Sequence, residues 1–217
     1  MALIKPAPPP LAVLAFRDGL AAFLAGPNFG SVGTLAHEVQ LGSSPALPTY
    51  IDVVSQPQTP GHDWQEVFVL GLNDLQAHKD LSAATPAGWR CFAGTIPGPV
   101  VVGYVAPRPP SFWRLTAVTF GTRASDALTE SQALDAVPQV QTSDYNLRFL
   151  RIPGLNLELF WFVSLSGGND LIIPSPAGSA QLQSSLSKSR FFDSPVFLSI
   201  VYGLASQRLA YPATMGS

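Results

Sequence analysis

The sequence predicts an α+β fold: a mainly antiparallel β-sheet domain with an N-terminal helix, a short mid-chain helix and a buried C-terminal helix. Short runs of β-branched and aromatic residues, each bounded by Pro, Gly or polar residues, recur through most of the chain and are typical of strands. Stretches near both ends instead space their apolar residues three or four positions apart, which is typical of helices. Because 47% of the 217 residues are hydrophobic, the chain has enough apolar material for a packed core.

The first ten residues, MALIKPAPPP, predict an extended arm, because each proline fixes φ and disfavours a regular helix. Such an arm is either disordered or lies against a partner, and Pro8, Pro9 and Pro10 are its candidate interface residues. The rest of the chain, residues 11–217, is predicted to form one β-rich globular domain.

Residues 11–25 predict the N-terminal helix. Phe16, Leu20 and Phe23 recur at near-helical spacing along it. The Gly26-Pro27 pair ends the segment, because Gly favours a C-terminal cap and Pro cannot continue a helix.

Strand patterns dominate from there to residue 120. Each run is short, rich in Val, Ile, Thr, Leu or aromatic residues, and flanked by turn residues. The predicted strands cover residues 37–41, 49–55, 67–72, 89–95, 100–105 and 112–120.

The composition changes over residues 121–143. Thr129 and Gln132 have the spacing of a capping box and predict the start of a short helix, which Pro138 stops. Its apolar face is weak, so we expect a crossover helix or a linker outside the core. The alternative to a single domain is that this segment joins two sub-halves.

The last third of the chain has the strongest strand pattern, over residues 145–165, with a break at Pro153-Gly154. Pro-Gly at the centre of a turn favours type II geometry, because Gly accepts a positive φ. A further strand is predicted at residues 171–173. Ile96-Pro97-Gly98 also precedes an apolar run, which predicts a second hairpin of the same kind, with a duplicated half-domain as the alternative.

The C-terminal helix begins at Ser194, a good N-cap residue, followed by Pro195 at the first helical position. Its apolar face is wide, so the helix is predicted to be buried on most sides, against a sheet or against a partner. Phe197, Val201 and Leu204 are its candidate interface residues.

Charge is scarce: Asp, Glu, Lys and Arg make up 12% of the residues, against about 25% in average soluble domains. Interface cores are depleted in charge, so we expect part of the surface to be covered by a protein partner or by self-association, with a neutral monomer surface as the alternative. The net charge is −2 and no Lys/Arg-rich run occurs, which argues against a nucleic-acid partner. No apolar run reaches the roughly 18 residues of a membrane-spanning helix.

The chain has one cysteine, Cys91, so it cannot form an internal disulfide. We therefore expect a reducing compartment and a cytoplasmic location, although a cysteine-poor secreted protein would have the same cysteine count. The neighbours of Cys91 are mostly apolar, which predicts that it is a small buried hydrophobe.

Motifs for catalysis and for ligand binding are missing from the sequence. There is no HxxxH, HxH or CxxC for a metal, no GxSxG for a serine nucleophile and no phosphate-binding glycine loop, so no metal and no cofactor is predicted. The residues left for an enzyme are Cys91, with His37 or His62 as its base, and Glu158. Strand alternation predicts instead that Glu158 pairs with an arginine of the preceding strand, Arg148 or Arg151.

These patterns favour a non-catalytic structural or protein-interaction module, a subunit of a homo- or hetero-oligomeric assembly. The alternative is an enzyme, hydrolase-like, or a small-molecule binder with a site around Cys91, His62 or Glu158.

Overall fold

A computed structural model describes residues 3–24, 64–78, 80–94, 100–175 and 191–210. The predicted strands at 37–41 and 49–55, the turn at 96–98, and the residues His37 and His62 lie outside these ranges.

The described residues form four α-helices and a nine-stranded sheet. The helices are α1 (Pro10–Leu24), α2 (Leu72–His78), α3 (Thr122–Ala133) and α4 (Ser194–Ala210). The strands are β1 (Leu3–Ile4), β2 (Trp64–Val69), β3 (Thr85–Gly94), β4 (Val100–Arg108), β5 (Phe112–Phe120), β6 (Tyr145–Ile152), β7 (Leu157–Ser164), β8 (Leu171–Pro174) and β9 (Phe192–Asp193). The sheet order is β5-β4-β3-β2-β6-β7-β8-β9, and β1 pairs in parallel with β6. The α+β class, the mostly antiparallel sheet and the terminal helices are thus confirmed.

The chain divides into two compact units. Unit 1 contains Met1–Lys5, Val67–Ala87 and Asp135–Ser217, and unit 2 contains Pro6–Glu66 and Gly88–Leu134. The boundary at Leu134 falls inside the segment 121–143 that the sequence singles out. One domain and two sub-halves both remain hypotheses about how the chain folds.

In unit 2, α1 lies on one face of the antiparallel strands β3, β4 and β5. The buried side of α1 carries Ala12, Phe16 and Leu20, which pack with apolar residues of β3 and β4. Helix and sheet approach closely at two glycines: a Cβ on Gly103 would lie 2.1 Å from Cε2 of Phe16, and one on Gly19 would lie 2.5 Å from Cβ of Leu115. A larger residue at either position would force the side chain of Phe16 or Leu115, or the helix itself, to move.

Helix α3 differs from its prediction in two respects. It begins at Thr122, seven positions before Thr129, and the Thr129 hydroxyl donates to the Ser125 carbonyl inside the helix instead of capping it. The capping-box spacing therefore matched a helix interior. The helix also belongs to the core, because Ala124 and Leu128 are buried against Phe92 and its neighbours on β4.

In unit 1, β6 and β7 form the predicted hairpin, with β8 and β9 continuing the antiparallel pairing. The turn between them is a 3-10 turn over Pro153–Leu155, and Asn156, not Gly154, takes the positive φ, at 53°. Gly154 is needed for packing instead, since a Cβ there would lie 2.5 Å from Cγ of Leu72.

The predicted arm 1–10 contributes residues to a strand at one end and to a helix at the other. Leu3 and Ile4 pair with Tyr145 and Asn146 of β6. Pro10 begins α1, because proline has the φ of a first helical residue and needs no N–H there.

Helix α2 was not predicted, since its seven residues present too short a pattern. It follows the bend after β2, where the Gly71 carbonyl accepts from the Leu75 amide. Leu75 is completely buried, and the Gln76 side chain donates to the Ser206 hydroxyl of α4 at 3.0 Å. Both helices thereby belong to the core of unit 1.

Candidate functional site

Cys91 lies on β3 with none of its surface exposed, as its apolar neighbours predict. Its thiol contacts the carbonyl oxygen of Phe92 at 3.6 Å and is packed among the residues of the α1 core. A catalytic thiolate has to be reached by its substrate and activated by a base. Cys91 does not meet the first condition, while its predicted bases, His37 and His62, lie outside the described residues.

Glu158 forms an ion pair with the residue directly opposite it in the β6–β7 hairpin. Its Oε1 lies 3.1 Å from Nε of Arg151, and the two side chains are 22% and 42% exposed. This is the cross-strand pairing that the sequence predicts, and of the two candidate arginines the partner is Arg151. The carboxylate is thus engaged within the fold.

We expect Glu158→Gln to lower the free energy of unfolding by less than about 1 kcal/mol, because a partly exposed ion pair contributes little in water. Urea denaturation of both proteins measures the difference. A loss above about 3 kcal/mol, the range found when one partner of a buried ion pair is removed, would contradict this view of the pair.

Arg148, the other predicted partner of Glu158, is engaged with aromatic rings. Its guanidinium carbon lies 4.4 Å from the ring centre of Phe68 and 5.1 Å from that of Trp161. The indole N–H of Trp161 donates in turn to Oδ2 of Asp170 at 2.8 Å. A cation over an aromatic face is attracted by the ring quadrupole, so Arg148 helps to hold β2, β6 and β7 together.

Unit 2 contains a buried polar network that the sequence did not reveal. Arg90 is 1% exposed, and its Nε and Nη2 donate to Oε1 of Gln65 at 3.0 and 2.6 Å. The amide of Gln65 donates to the hydroxyl of Ser131 at 2.7 Å. Arg90 also lies over the ring of Phe92, at 4.6 Å. The network connects β2, β3 and α3. Because the Arg90 guanidinium is buried, a ligand cannot reach its charge.

The candidate interface residues of α4 lie on the side of the helix that faces the core of unit 1. Phe197 and Val201 are completely buried in the core of unit 1, and Leu204 is partly buried. The helix is fully buried along one stripe, where α2, the turn Pro153–Leu155 and strands β8 and β9 contact it. Phe197 and Val201 are thus core residues of unit 1, and an interface role for them stays a prediction.

We call the opposite stripe the outer side of α4. All its members are exposed and none is charged, and Val196 is 52% exposed. They are Val196, Ser199, Gly203, Gln207 and Ala210. Apart from the neighbouring backbone of α4 itself, no heavy atom of the described residues lies within 4 Å of a Cβ built on Gly203.

The three arm prolines lie at the start of α1. Pro8 and Pro9 are half-buried, and the Pro9 carbonyl accepts from the Ala12 amide at 2.9 Å. Pro10 is exposed as the first residue of α1. These residues shape the start of the helix, and their interface role stays a prediction.

A groove of about 600 Å³ lies in unit 2 between α1 and β5. One wall is a stripe of α1 with small residues, and the other is the central part of β5. The lining residues are Ala15, Asp18, Gly19, Ala22, Phe23, Trp113, Arg114, Leu115, Thr116, Ala117 and Val118. We call it the α1–β5 groove; it contains none of the candidate catalytic residues.

Within the described ranges, no three His, Cys, Asp or Glu side chains converge closely enough to hold a metal ion. The same part of the chain has no helix that is long and apolar enough to cross a membrane. No protein-family model, curated protein or solved structure is significantly similar to this chain.

Proposed function

We propose that this chain is a non-catalytic structural or protein-interaction module, a subunit of a homo- or hetero-oligomeric assembly. In that assembly, another protein chain covers the outer side of α4. A cytoplasmic location belongs to the proposal and is supported by the single cysteine, Cys91.

The uncharged outer side of α4 carries the proposal. Helices that face water on one side normally place charged residues there, whereas helices that are apolar all round are buried. Among the 17 residues of α4, Arg208 in the last turn is the one charged residue. The outer side thus has the charge depletion of an interface core while it is exposed in the single chain.

Exposed leucines of α1 support the general proposal of an interaction module, though not the choice of α4 as the interface. Leu11 and Leu14 lie one turn apart and are 55% and 42% exposed. Isolated exposed leucines are ordinary, whereas two that lie one turn apart on the same helix add to the uncharged surface available to a partner. The overall charge content of 12% agrees with a surface that is partly covered.

The alternative, a hydrolase-like enzyme or small-molecule binder around Cys91, His62 or Glu158, is not favoured by any observation among the described residues. Cys91 is inaccessible and Glu158 is paired with Arg151.

Placing charges on the outer side of α4 should dissociate the assembly. We expect the double variant Val196→Lys/Gly203→Lys to weaken association at least tenfold, because two cations would have to lose their water in the interface. Both positions are exposed, and lysine has a higher helix propensity than glycine, so the fold should persist. Sedimentation velocity over a concentration series measures the association.

The matched control is Gln132→Lys, an exposed position of α3 in the other unit, which should leave association unchanged. Unchanged sedimentation of the double variant, with an intact fold by circular dichroism, would count against the proposal.

A further inference from the structure

The walls of the α1–β5 groove differ in character. Along α1, Ala15, Gly19 and Ala22 follow helical spacing, and their small side chains leave space above the sheet. Gly19 brings the helix into contact with Leu115, so the groove runs directly along β5. Its volume of about 600 Å³ lies within the range of ligand sites. The shape suits a narrow, elongated occupant.

The β5 wall offers backbone hydrogen bonds. Strand β5 is last in the sheet order and, within the described residues, pairs only with β4. Pro107 of β4 lies opposite Trp113 and has no N–H, so these two residues cannot exchange both ladder hydrogen bonds. If this pair exchanges no ladder bonds, the alternation of an antiparallel ladder directs the N–H and C=O of Trp113 and Leu115 away from β4, towards the open edge, the side of β5 with which no other described strand pairs. The chemical complement of such a row is the backbone of another extended strand.

The charges at the groove specify the occupant further. Arg114 is exposed, and within the described residues it has no hydrogen bond and no ion pair. Asp18, on the α1 wall, is paired with Arg17 at 2.8 Å. The unneutralised charge beside the open edge is therefore positive, and it favours an acidic side chain at the neighbouring position of an added strand.

We infer that the α1–β5 groove binds an extended, acidic segment of a partner protein, which adds to β5 as a further strand. Alternate apolar side chains of the segment fill the space beside Ala15 and Ala22, and an Asp or Glu of the opposite face pairs with Arg114. The inference rests on the proposed function only in taking the partner to be a polypeptide, since the outer side of α4 plays no part in it.

The test uses the full chain and a displayed library of random twelve-residue peptides. Selection should enrich peptides in which apolar residues alternate and Asp or Glu recurs at a fixed position. Fluorescence anisotropy of the best peptide should show at least tenfold weaker binding to Arg114→Glu. Selection on that variant should replace the acidic residue by Lys or Arg.

Filling the groove is the second arm of the test. Ala22→Trp places a large side chain in the groove from an exposed helical position and should abolish peptide binding. The matched control, Ala133→Trp, makes the same change at an exposed position of α3 outside the groove and should leave binding unchanged.

The inference is overturned if no peptide is enriched, if binding is equal in wild type, Arg114→Glu and Ala22→Trp, or if Ala133→Trp weakens it as strongly. It is also overturned if Arg114→Glu lowers the native mass in the absence of peptide, because the occupant is then a second copy of the chain. None of these outcomes changes what the α4 variants show about association. The two proposals can therefore be overturned separately.

Discussion

Gly88→Ala is expected to destabilise the protein by at least about 3 kcal/mol, the range of mutations that combine backbone strain with a buried clash. Gly88 has φ +147°, a conformation that L side chains rarely adopt, and an added Cβ would lie 2.1 Å from the carbonyl oxygen of Val105. It would also lie 3.1 Å from Cα of Ala106. The clashing atoms are backbone atoms of the neighbouring strand β4, so no rotamer change relieves them, and β3 and β4 would have to separate.

The matched control for this prediction is Gly167→Ala. Gly167 also has a positive φ, +81°, but a Cβ there meets no atom within 4 Å. Only the conformational strain remains, which costs of order 1 kcal/mol. Urea unfolding gives both losses. Equal losses for the two variants would show that the contact with Val105 does not contribute.

Gln65→Leu is expected to cost about 3 kcal/mol, because the Arg90 guanidinium loses two hydrogen bonds in a place that water does not reach. The Ser131 hydroxyl loses its bond from Gln65 as well. Thermal and urea denaturation measure the loss. The double variant Gln65→Leu/Arg90→Met should recover a large part of it, because replacing both partners by apolar residues removes the buried charge together with its acceptor.

An exposed glutamine provides the comparison. The side chain of Gln141 donates to the Asp135 carbonyl at 3.2 Å on the surface, and Gln141→Leu should change the free energy of unfolding by less than about 0.5 kcal/mol. If Gln65→Leu is as mild as Gln141→Leu, the buried network does not stabilise unit 2 in the way described.

Local sequence patterns correctly predicted the elements whose structure depends mainly on their own residues. Strand β5 has its predicted bounds, Phe112–Phe120, because a run of β-branched and aromatic residues there is closed by turn residues at both sides. Helix α4 begins at its predicted N-cap, Ser194, with Pro195 behind it. The burial of Cys91 followed from its apolar neighbours.

Features that depend on tertiary packing were missed. The capping-box spacing of Thr129 placed the start of α3 too late, because a threonine in a helix interior bonds back to the preceding turn equally well. Gln65, which accepts two hydrogen bonds from Arg90, is 25 positions away along the chain, and Ser131 is 66 positions from Gln65, so no local pattern connects them. The one-sided burial of α4 is likewise a property of what packs against it.

The candidate sites show the same difference between features that follow from local sequence and features that depend on tertiary packing. Cross-strand alternation predicted the pairing of Glu158, because the register of a hairpin follows from its turn. The α1–β5 groove was not predicted, since it depends on the close approach of Gly19 to Leu115 and on β5 being last in the sheet order. No sequence motif indicates either property.

The most direct test of the central claim, that another protein covers the outer side of α4, is the native mass of the full chain with and without Val196→Lys/Gly203→Lys. For the wild type, isolated from its own cells under mild conditions, we predict a mass well above 23.0 kDa, from further copies or from a second protein. The double variant should shift towards the single chain. A wild-type mass of 23.0 kDa at every concentration, with no second protein present, would contradict the account.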